Sequence, residues 1–225
     1  EMCIRDRMGY DWAKDCVHVP FGLVSMEDGT MSTRQGRVVF LEDVLNRAVE
    51  QTKQIILEKN VTTENIDETA HDVGVGAVVF NELSNYRIKD YVFSWDKVLN
   101  FEGETGPYVQ YTHARACSIL RRAGEDTVKA AKKGFDTSWI TGESAHHLIK
   151  LLYVLPEVIK EAGEKYEPSI VTRHIVDIAQ GFNKFYHDEH ILVEDEKEKT
   201  AKVALVLAVQ TAIKNGLGLL GCLLY

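Results

Sequence analysis

The sequence predicts a mostly α-helical protein, in which a C-terminal helical bundle follows a smaller region with one strand and further helices. After Pro107 the apolar residues recur almost throughout at intervals of three and four, which is the period of amphipathic helices. Residues 17–24, VHVPFGLV, are instead β-branched and apolar, which is typical of a buried strand. A change of composition near residue 100 marks the best candidate for a domain boundary.

Local patterns assign the elements of the first half. Residues 41–59 carry apolar side chains at helical spacing and predict an amphipathic helix. Residues 64–85 predict two short helices broken near Gly74 and Gly76. Residues 91–95, YVFSW, are aromatic and predict an extended segment.

Loops and helices of the second half follow in the same way. Residues 26–37 and 101–107 are rich in glycine and polar side chains, which predicts loops. Pro107 and Pro168 each suit the first turn of a helix, and Gly216 suits the end of the last helix. The predicted helices of the bundle span residues 108–123, 125–133, 142–161, 168–187 and 196–214.

The composition excludes several classes of protein. With 45% hydrophobic and 27% charged residues, the 225-residue chain can bury a core and is neither disordered nor collagen-like. A net charge of −8 excludes a uniformly basic nucleic-acid coat but leaves room for a local basic face. No apolar run approaches the ~20 residues that span a bilayer, so no membrane contact is expected.

The cysteines and histidines predict no metal site. The four cysteines form no C-x-x-C pair and none lies near a histidine at zinc-ligand spacing, which favours a reduced protein of the cytoplasm. His187 and His190 could hold a metal ion between them, but a solvated helix end explains them better. Both ends, EMCIRDR at 1–7 and CLLY at 222–225, look foreign and resemble translated sequencing-adapter read-through, so the interpretation uses residues 8–221.

The first candidate site is the loop after the predicted strand, and its residues are Thr30, Met31, Ser32, Thr33 and Arg34. Its hydroxyl groups can donate hydrogen bonds to phosphate oxygens, and its cation can neutralise the charge of leaving pyrophosphate. Such loops bind phosphate at the carboxyl end of a strand. The pattern alone favours an ordinary polar loop.

The second candidate site surrounds two tyrosines at the start of the first bundle helix. Tyr108 and Tyr111 are three residues apart, so we expect them to share a face on which unpaired bases could stack. Gln110 and its neighbours make these surroundings polar. The alternative, that both rings belong to the core, is about equally supported by the pattern.

The third candidate site is a local excess of positive charge between residues 113 and 133. Arg115, Arg122 and Lys129 are spaced by seven, so they would line one side if the helix continued past Gly124. A stripe of this kind can track a phosphate backbone. The alternative is a solvated helix face.

Several stretches resemble bacterial arginyl-tRNA synthetases. GLVSMEDGTMSTRQGRVVFLEDVL, residues 22–45, is similar to the region of that family's signature loop, and FEGETGPYVQYTHARACSIL, residues 101–120, to the start of its anticodon-binding domain. FNKFYHDEHIL and TAKVALVLAVQTAIKNGLGLLG resemble its later helices. The resemblance implies ATP-dependent activation of arginine and its transfer to an arginine tRNA. The HIGH-type motif and the arginine pocket of the family do not occur here, so we expect a C-terminal fragment that is inactive alone.

The resemblance also implies a division of the chain and a set of site residues. Residues 8–37 would end a Rossmann-like catalytic domain, 38–100 would contact the tRNA stem, and 101–221 would form the anticodon-binding bundle of DALR type. The family's KMSKS signature would fall on residues 30–34, which would bind ATP through Met31, Ser32, Thr33 and Arg34. Both signature lysines are replaced, so Ser32, Thr33 and Arg34, with Arg37 as second choice for the cation, are the expected catalytic residues.

The partners implied by the resemblance are ATP with Mg²⁺, L-arginine and an arginine tRNA, with no cofactor held by this chain alone and a monomer expected. The expected tRNA-binding residues are Tyr108, Gln110, Tyr111, Arg115, Arg122 and Lys129. Two alternatives stay open: a non-catalytic RNA-binding helical module, and a synthetase for another amino acid with the same type of anticodon domain.

Overall fold

The computed structural model describes residues 7–26, 39–58 and 65–222. A short 3-10 helix (Asp11–Asp15) precedes strand β1 (Val24–Met26) and helices α1 (Leu41–Glu58) and α2 (Ile66–Ser84). Strand β2 (Tyr91–Phe93), the one-turn helix α3 (Trp95–Val98), and helices α4 (Gly106–Ala123) and α5 (Glu125–Lys133) follow. After a 3-10 turn (Thr137–Trp139), the chain ends in α6 (Glu143–Lys165), α7 (Ser169–Asp188) and α8 (Glu196–Leu219). The predicted fold class, mostly α with a C-terminal bundle, is confirmed.

Residues 66–84 form one helix, and the prediction of two short helices is wrong. Asn65 caps this helix by accepting a hydrogen bond from the Glu68 N–H at 3.2 Å. A Cβ at Gly74 would lie 2.8 Å from the Val49 nitrogen, and one at Gly76 would lie 2.9 Å from Gln110 Nε2. The two glycines therefore allow α1 and α4 to approach α2 closely, and they do not break the helix.

The predicted strand over residues 17–24 is wrong in its extent. Only residues 24–26 are a strand, which pairs in parallel with β2 in the register Val24 to Tyr91. Val17 and Phe21 are 53% and 82% exposed, and Val19 and Leu23 are exposed as well, so the apolar residues at 17–23 do not form the buried strand that was predicted. The extended segment predicted over residues 91–95 is confirmed for 91–93, after which α3 begins.

The bundle matches its prediction closely and differs at two helix ends. Helix α5 has the predicted bounds, and Pro107 lies in the first turn of α4. Helix α6 continues to Lys165, and α8 continues through Gly216 to Leu219, so the predicted stop at Gly216 is wrong. A Cβ at Gly216 would overlap Ile175 Cδ1, because α7 and α8 pack tightly at this point.

Two apolar cores share α2. The larger core lies among α4 to α8 and receives Phe80 from α2. The smaller core lies between α1, α2 and the two strands, and its buried residues are Ala48, Ala77, Val78, Phe93, Val98 and Leu99. Among the helices described here, none is long and apolar enough to cross a membrane.

Candidate nucleic-acid interface

The turn before α4 is held by its own side chains. Asn100 Oδ1 accepts a hydrogen bond from the Glu102 N–H at 2.8 Å, and Thr105 Oγ1 donates to the Asn100 carbonyl. Thr105 Oγ1 also accepts from the Tyr108 N–H at 3.3 Å, which makes Thr105 the N-cap of α4. These bonds place the first turn of α4, and therefore both tyrosines, in a defined position.

Tyr108 and Tyr111 do not share an environment, although the spacing predicted a common face. Tyr108 is half-buried against the bundle core, and its hydroxyl accepts a hydrogen bond from Asn183 Nδ2 at 2.8 Å. Tyr111 is 51% exposed. The core alternative therefore describes Tyr108, while the ring of Tyr111 remains accessible for stacking.

Arg115 lies between two exposed tyrosine rings. Its guanidinium carbon is 5.0 Å from the ring centre of Tyr111 and 5.4 Å from that of Tyr186 on α7. Both distances suit a cation–π contact. We call these three residues the Tyr111–Arg115–Tyr186 stack.

Asn183 on α7 orients the stack through hydrogen bonds of its side-chain amide. Its Oδ1 accepts a hydrogen bond from Arg115, and its Nδ2 donates to Tyr108 and, at 3.2 Å, to Thr112 Oγ1. One amide therefore fixes Arg115 and Tyr108 together. The stack presents a positive charge flanked by two aromatic faces, which suits a phosphate group next to unpaired bases.

Sequence reasoning missed Asn183 and Tyr186. Both lie in the stretch FNKFYHDEHIL, which contributed to the resemblance but supplied no candidate residue. Asn183 follows Arg115 by 68 residues, so no local spacing connects them. They are identified only by the packing of α7, which carries both residues, against α4.

The structure places Gln110 in the interior. Its side chain faces α2, where Nε2 donates a hydrogen bond to the Asp72 carbonyl at 3.4 Å, and the residue is 1% exposed. Gln110 can therefore position α4 against α2 but presents no surface to an RNA. We leave it out of the candidate interface.

The three spaced cations do not line one continuous helix. Helix α4 ends at Ala123, and Gly124 takes a left-handed backbone with φ of 87° before α5 begins. Lys129 pairs with Glu125 at 3.0 Å on α5, and Arg122 is exposed at the end of α4. The predicted stripe is wrong as a single helical face, because the chain changes direction at Gly124.

The predicted ATP loop, with Thr30, Met31, Ser32, Thr33 and Arg34, lies outside the described residues, as does Arg37. Its assignment stays a prediction.

His187 and His190 lie in no larger group of metal-binding side chains within the part of the chain that the structure describes. Among residues 7–26, 39–58 and 65–222, no group of three or more His, Cys, Asp or Glu side chains could hold a metal ion. His187 Nδ1 lies 3.2 Å from Asp188 Oδ1, and the His190 carbonyl accepts a hydrogen bond from Lys202.

Cys222, which the sequence assigned to a foreign end, lies in the core. Its thiol donates to the Gly76 carbonyl at 3.6 Å, and burial raises the pKa of Cys222 to about 11. The foreign origin of residues 222–225 stays a prediction.

Two families match the chain in sequence. Residues 109–223 match the family described as DALR anticodon binding domain. Residues 2–95 match the family described as tRNA synthetases class I (R), catalytic domain. Every residue of the Tyr111–Arg115–Tyr186 stack lies within the first of these matches.

Individual relatives agree with the two families. The chain is 58% identical over 218 residues to an arginine–tRNA ligase of Halothermothrix orenii, which covers 97% of this chain and 38% of that protein. It is 55% identical to an arginine–tRNA ligase of Clostridioides difficile, with 95% and 37% covered. A solved arginyl-tRNA synthetase of Thermus thermophilus superposes with a TM-score of 0.83 at 31% identity, over 93% of this chain and 35% of that one. The chain thus spans less than two fifths of the length of these relatives.

Proposed function

The chain belongs to the arginyl-tRNA synthetase family, and we propose that it forms the C-terminal part of an arginine–tRNA ligase. In this proposal the helical bundle binds the anticodon loop of an arginine tRNA, and the whole enzyme joins arginine to that tRNA with ATP in the cytoplasm. We keep the division into residues 8–37, 38–100 and 101–221 as the working description of its parts. The observation that carries the proposal is the Tyr111–Arg115–Tyr186 stack.

The chemistry of the stack favours single-stranded RNA. An anticodon loop offers unpaired bases whose faces can stack on Tyr111 and Tyr186, and each stacked base contributes about 1–3 kcal/mol. Arg115 supplies a charge for the phosphate between such bases, and Asn183 holds it in place. The net charge of −8 supports contacts that are local, since most of this surface would repel a polyanion.

The contribution of this chain to ATP chemistry is proposed on the sequence alone. Ser32 and Thr33 would donate hydrogen bonds to the phosphates of ATP, and Met31 would complete the loop. Arg34 would stabilise the charge on pyrophosphate as it leaves. The Mg²⁺ that accompanies ATP would bind with it in the whole enzyme.

Binding to tRNA tests the proposal directly. We expect this chain to bind an arginine tRNA more tightly than an unrelated tRNA, with a preference that survives moderate salt. Equal binding of both that vanishes as salt rises would leave only non-specific electrostatic attraction and would contradict base recognition. A charging assay with the full-length gene product tests which reaction the protein catalyses. RNA binding without the attachment of arginine would favour a non-catalytic module. Attachment of another amino acid would favour a different synthetase.

Tyr111→Ala tests the stack. We expect this substitution to weaken binding of arginine tRNA by about 5- to 100-fold through the loss of stacking, with unchanged helix content. Tyr153→Ala is the matched control, because Tyr153 is an 83% exposed tyrosine on α6, away from the stack. Equal affinity of both variants would remove the stack from the proposed interface.

A further inference from the structure

Arg87 connects three segments at the junction between the strand-bearing region and the bundle. Its Nε donates a hydrogen bond to the Tyr166 carbonyl at 2.9 Å, and its Nη1 donates to the Pro20 carbonyl. Pro20 precedes β1, whereas Tyr166 lies in the turn between α6 and α7. One side chain therefore contacts both the region matched by the catalytic-domain family and the region matched by the anticodon-binding family.

The segment before β1 and the turn before β2 form one unit, which we call the strand unit (residues 20–24 and 87–91). The Gly22 N–H donates to the Arg87 carbonyl at 2.8 Å, and the Leu23 N–H donates to Asp90 Oδ1 at 2.7 Å. The Tyr91 N–H donates to the Leu23 carbonyl at 3.1 Å. These bonds make the strand unit locally rigid, so the Arg87 side chain extends from a defined base.

On the bundle side of the junction, Arg87 meets a buried carboxylate. Glu167 is 4% exposed, and its Oε1 accepts hydrogen bonds from Ser169 Oγ at 2.7 Å and from the Arg87 N–H at 3.5 Å. The Arg87 guanidinium lies 4.0 Å from the other carboxylate oxygen. A buried carboxylate requires such a partner, because its charge is poorly stabilised away from water. Tyr166 takes a left-handed backbone with φ of 52° as the C-cap of α6, where its N–H donates to the Gly163 carbonyl at 3.3 Å and the Glu167 N–H donates to the Ala162 carbonyl at 2.9 Å.

The strands pack on α2 in the smaller core, but their direct apolar contact with the turn between α6 and α7 is interrupted. A cavity of about 540 Å³ separates them and is lined by Phe21, Leu23, Leu83 and Pro168, among others. Close-packed side chains resist sliding, but a cavity of this size supplies few contacts across it. Arg87 supplies directional hydrogen bonds across this gap, which add to the apolar contacts that α2 makes with the strands and with the bundle.

We propose that Arg87, paired with Glu167, is a positioning residue that sets the orientation of the helical bundle relative to the strand unit. This role matters for charging only if the proposed function holds. A tRNA held at its anticodon by the bundle must present its other end to the catalytic part, and a small rotation at the junction displaces that end. Misplacement by about 1 Å can reduce a rate by two orders of magnitude.

Residual dipolar couplings of backbone amides in the ¹⁵N-enriched chain measure the orientation without an attached probe. In the unsubstituted protein, one alignment tensor should fit both the strand unit and helices α6 to α8. In Arg87→Met, which retains an unbranched stem but loses the donors, we expect the strand unit to need its own tensor while the bundle couplings stay internally consistent. Glu167→Gln should have the same effect in weaker form, and Arg173→Met, at an exposed arginine of α7, should leave one common tensor. A common tensor in Arg87→Met would overturn the proposal.

Charging by the full-length enzyme supplies the second readout. We expect Arg87→Met to lower kcat between about ten-fold and a hundred-fold, with the KM for tRNA within about two-fold of the unsubstituted value. An unchanged kcat, or a loss confined to KM, would contradict a positioning role. If the unsubstituted enzyme does not charge arginine tRNA, the proposed function fails, and the dipolar couplings still decide the role of Arg87.

Discussion

The bundle and the strand-bearing region before it differ in how completely they bury their apolar residues. In the bundle, Phe182, Phe185, Ile175 and Ile213 are all fully buried, and α8 packs against four other helices. In the region before residue 100, six buried residues form the core, while Phe21 and Phe40 are 82% and 65% exposed. This difference predicts that the bundle is the more stable part of the molecule and that the region before it opens more readily.

Phe185→Ala in the bundle should have the largest effect. The side chain is fully buried in the larger core, so its truncation removes apolar surface that folding had buried and leaves a cavity. We expect the free energy of unfolding to fall by about 3–5 kcal/mol, measured by urea titration of the helical circular dichroism signal. A loss below about 1 kcal/mol would show that the bundle core is loosely packed and no more stable than the region before it.

Phe93→Ala makes the same chemical change in the smaller core and should cost less. Phe93 is buried on β2 and meets Trp95 edge-on with ring centres 5.0 Å apart. Because local unfolding of this region limits the cost, we expect the free energy of global unfolding to fall by at most about 1–2 kcal/mol. Amide hydrogen exchange should instead quicken in α1, β1 and β2 and remain slow in α7 and α8. Equal acceleration in both regions would mean that they unfold as one unit.

The smallest expected effect is a pH dependence confined to the bundle. His113 on α4 is buried beside Gln210 at 3.0 Å, and burial, followed by the charge of Lys214, lowers the pKa of His113 below its usual 6.5. At a pH between the lowered value and 6.5 the unfolded chain binds a proton that the folded protein does not. The stability is therefore complete above pH 6.5 and decreases as the pH falls toward the folded-state pKa.

His113→Gln isolates this contribution. We expect the loss of unfolding free energy between pH 7.5 and 5.5 to be smaller in the variant than in the unsubstituted protein, measured by urea titration at both values. The seven other histidines contribute equally to both proteins and cancel in the difference. An identical loss in the two proteins would show that His113 does not titrate in this range.

Tyr108 and Tyr111 show where prediction from sequence reaches its limit. Spacing placed both on one face of a helix, and both are indeed in the first turns of α4. Side chains three residues apart on an α-helix still differ in direction by about 60°. As a result, α7 covers Tyr108 and leaves Tyr111 exposed. No pattern within α4 carries that information, because the covering residue, Asn183, lies 75 residues later in the chain.

The mostly helical class, the bounds of α5 and the position of α4 could be predicted from the residue pattern, because periodicity and capping are local properties of the chain. It also identified Tyr111 and Arg115 as candidates. The packing of whole helices was needed to show that Gly74 and Gly216 serve close packing, that Gln110 is buried, and that Tyr186 completes the stack. It was also needed to connect Arg87 to Glu167. Such contacts join residues far apart in the chain, and their geometry depends on how whole helices pack.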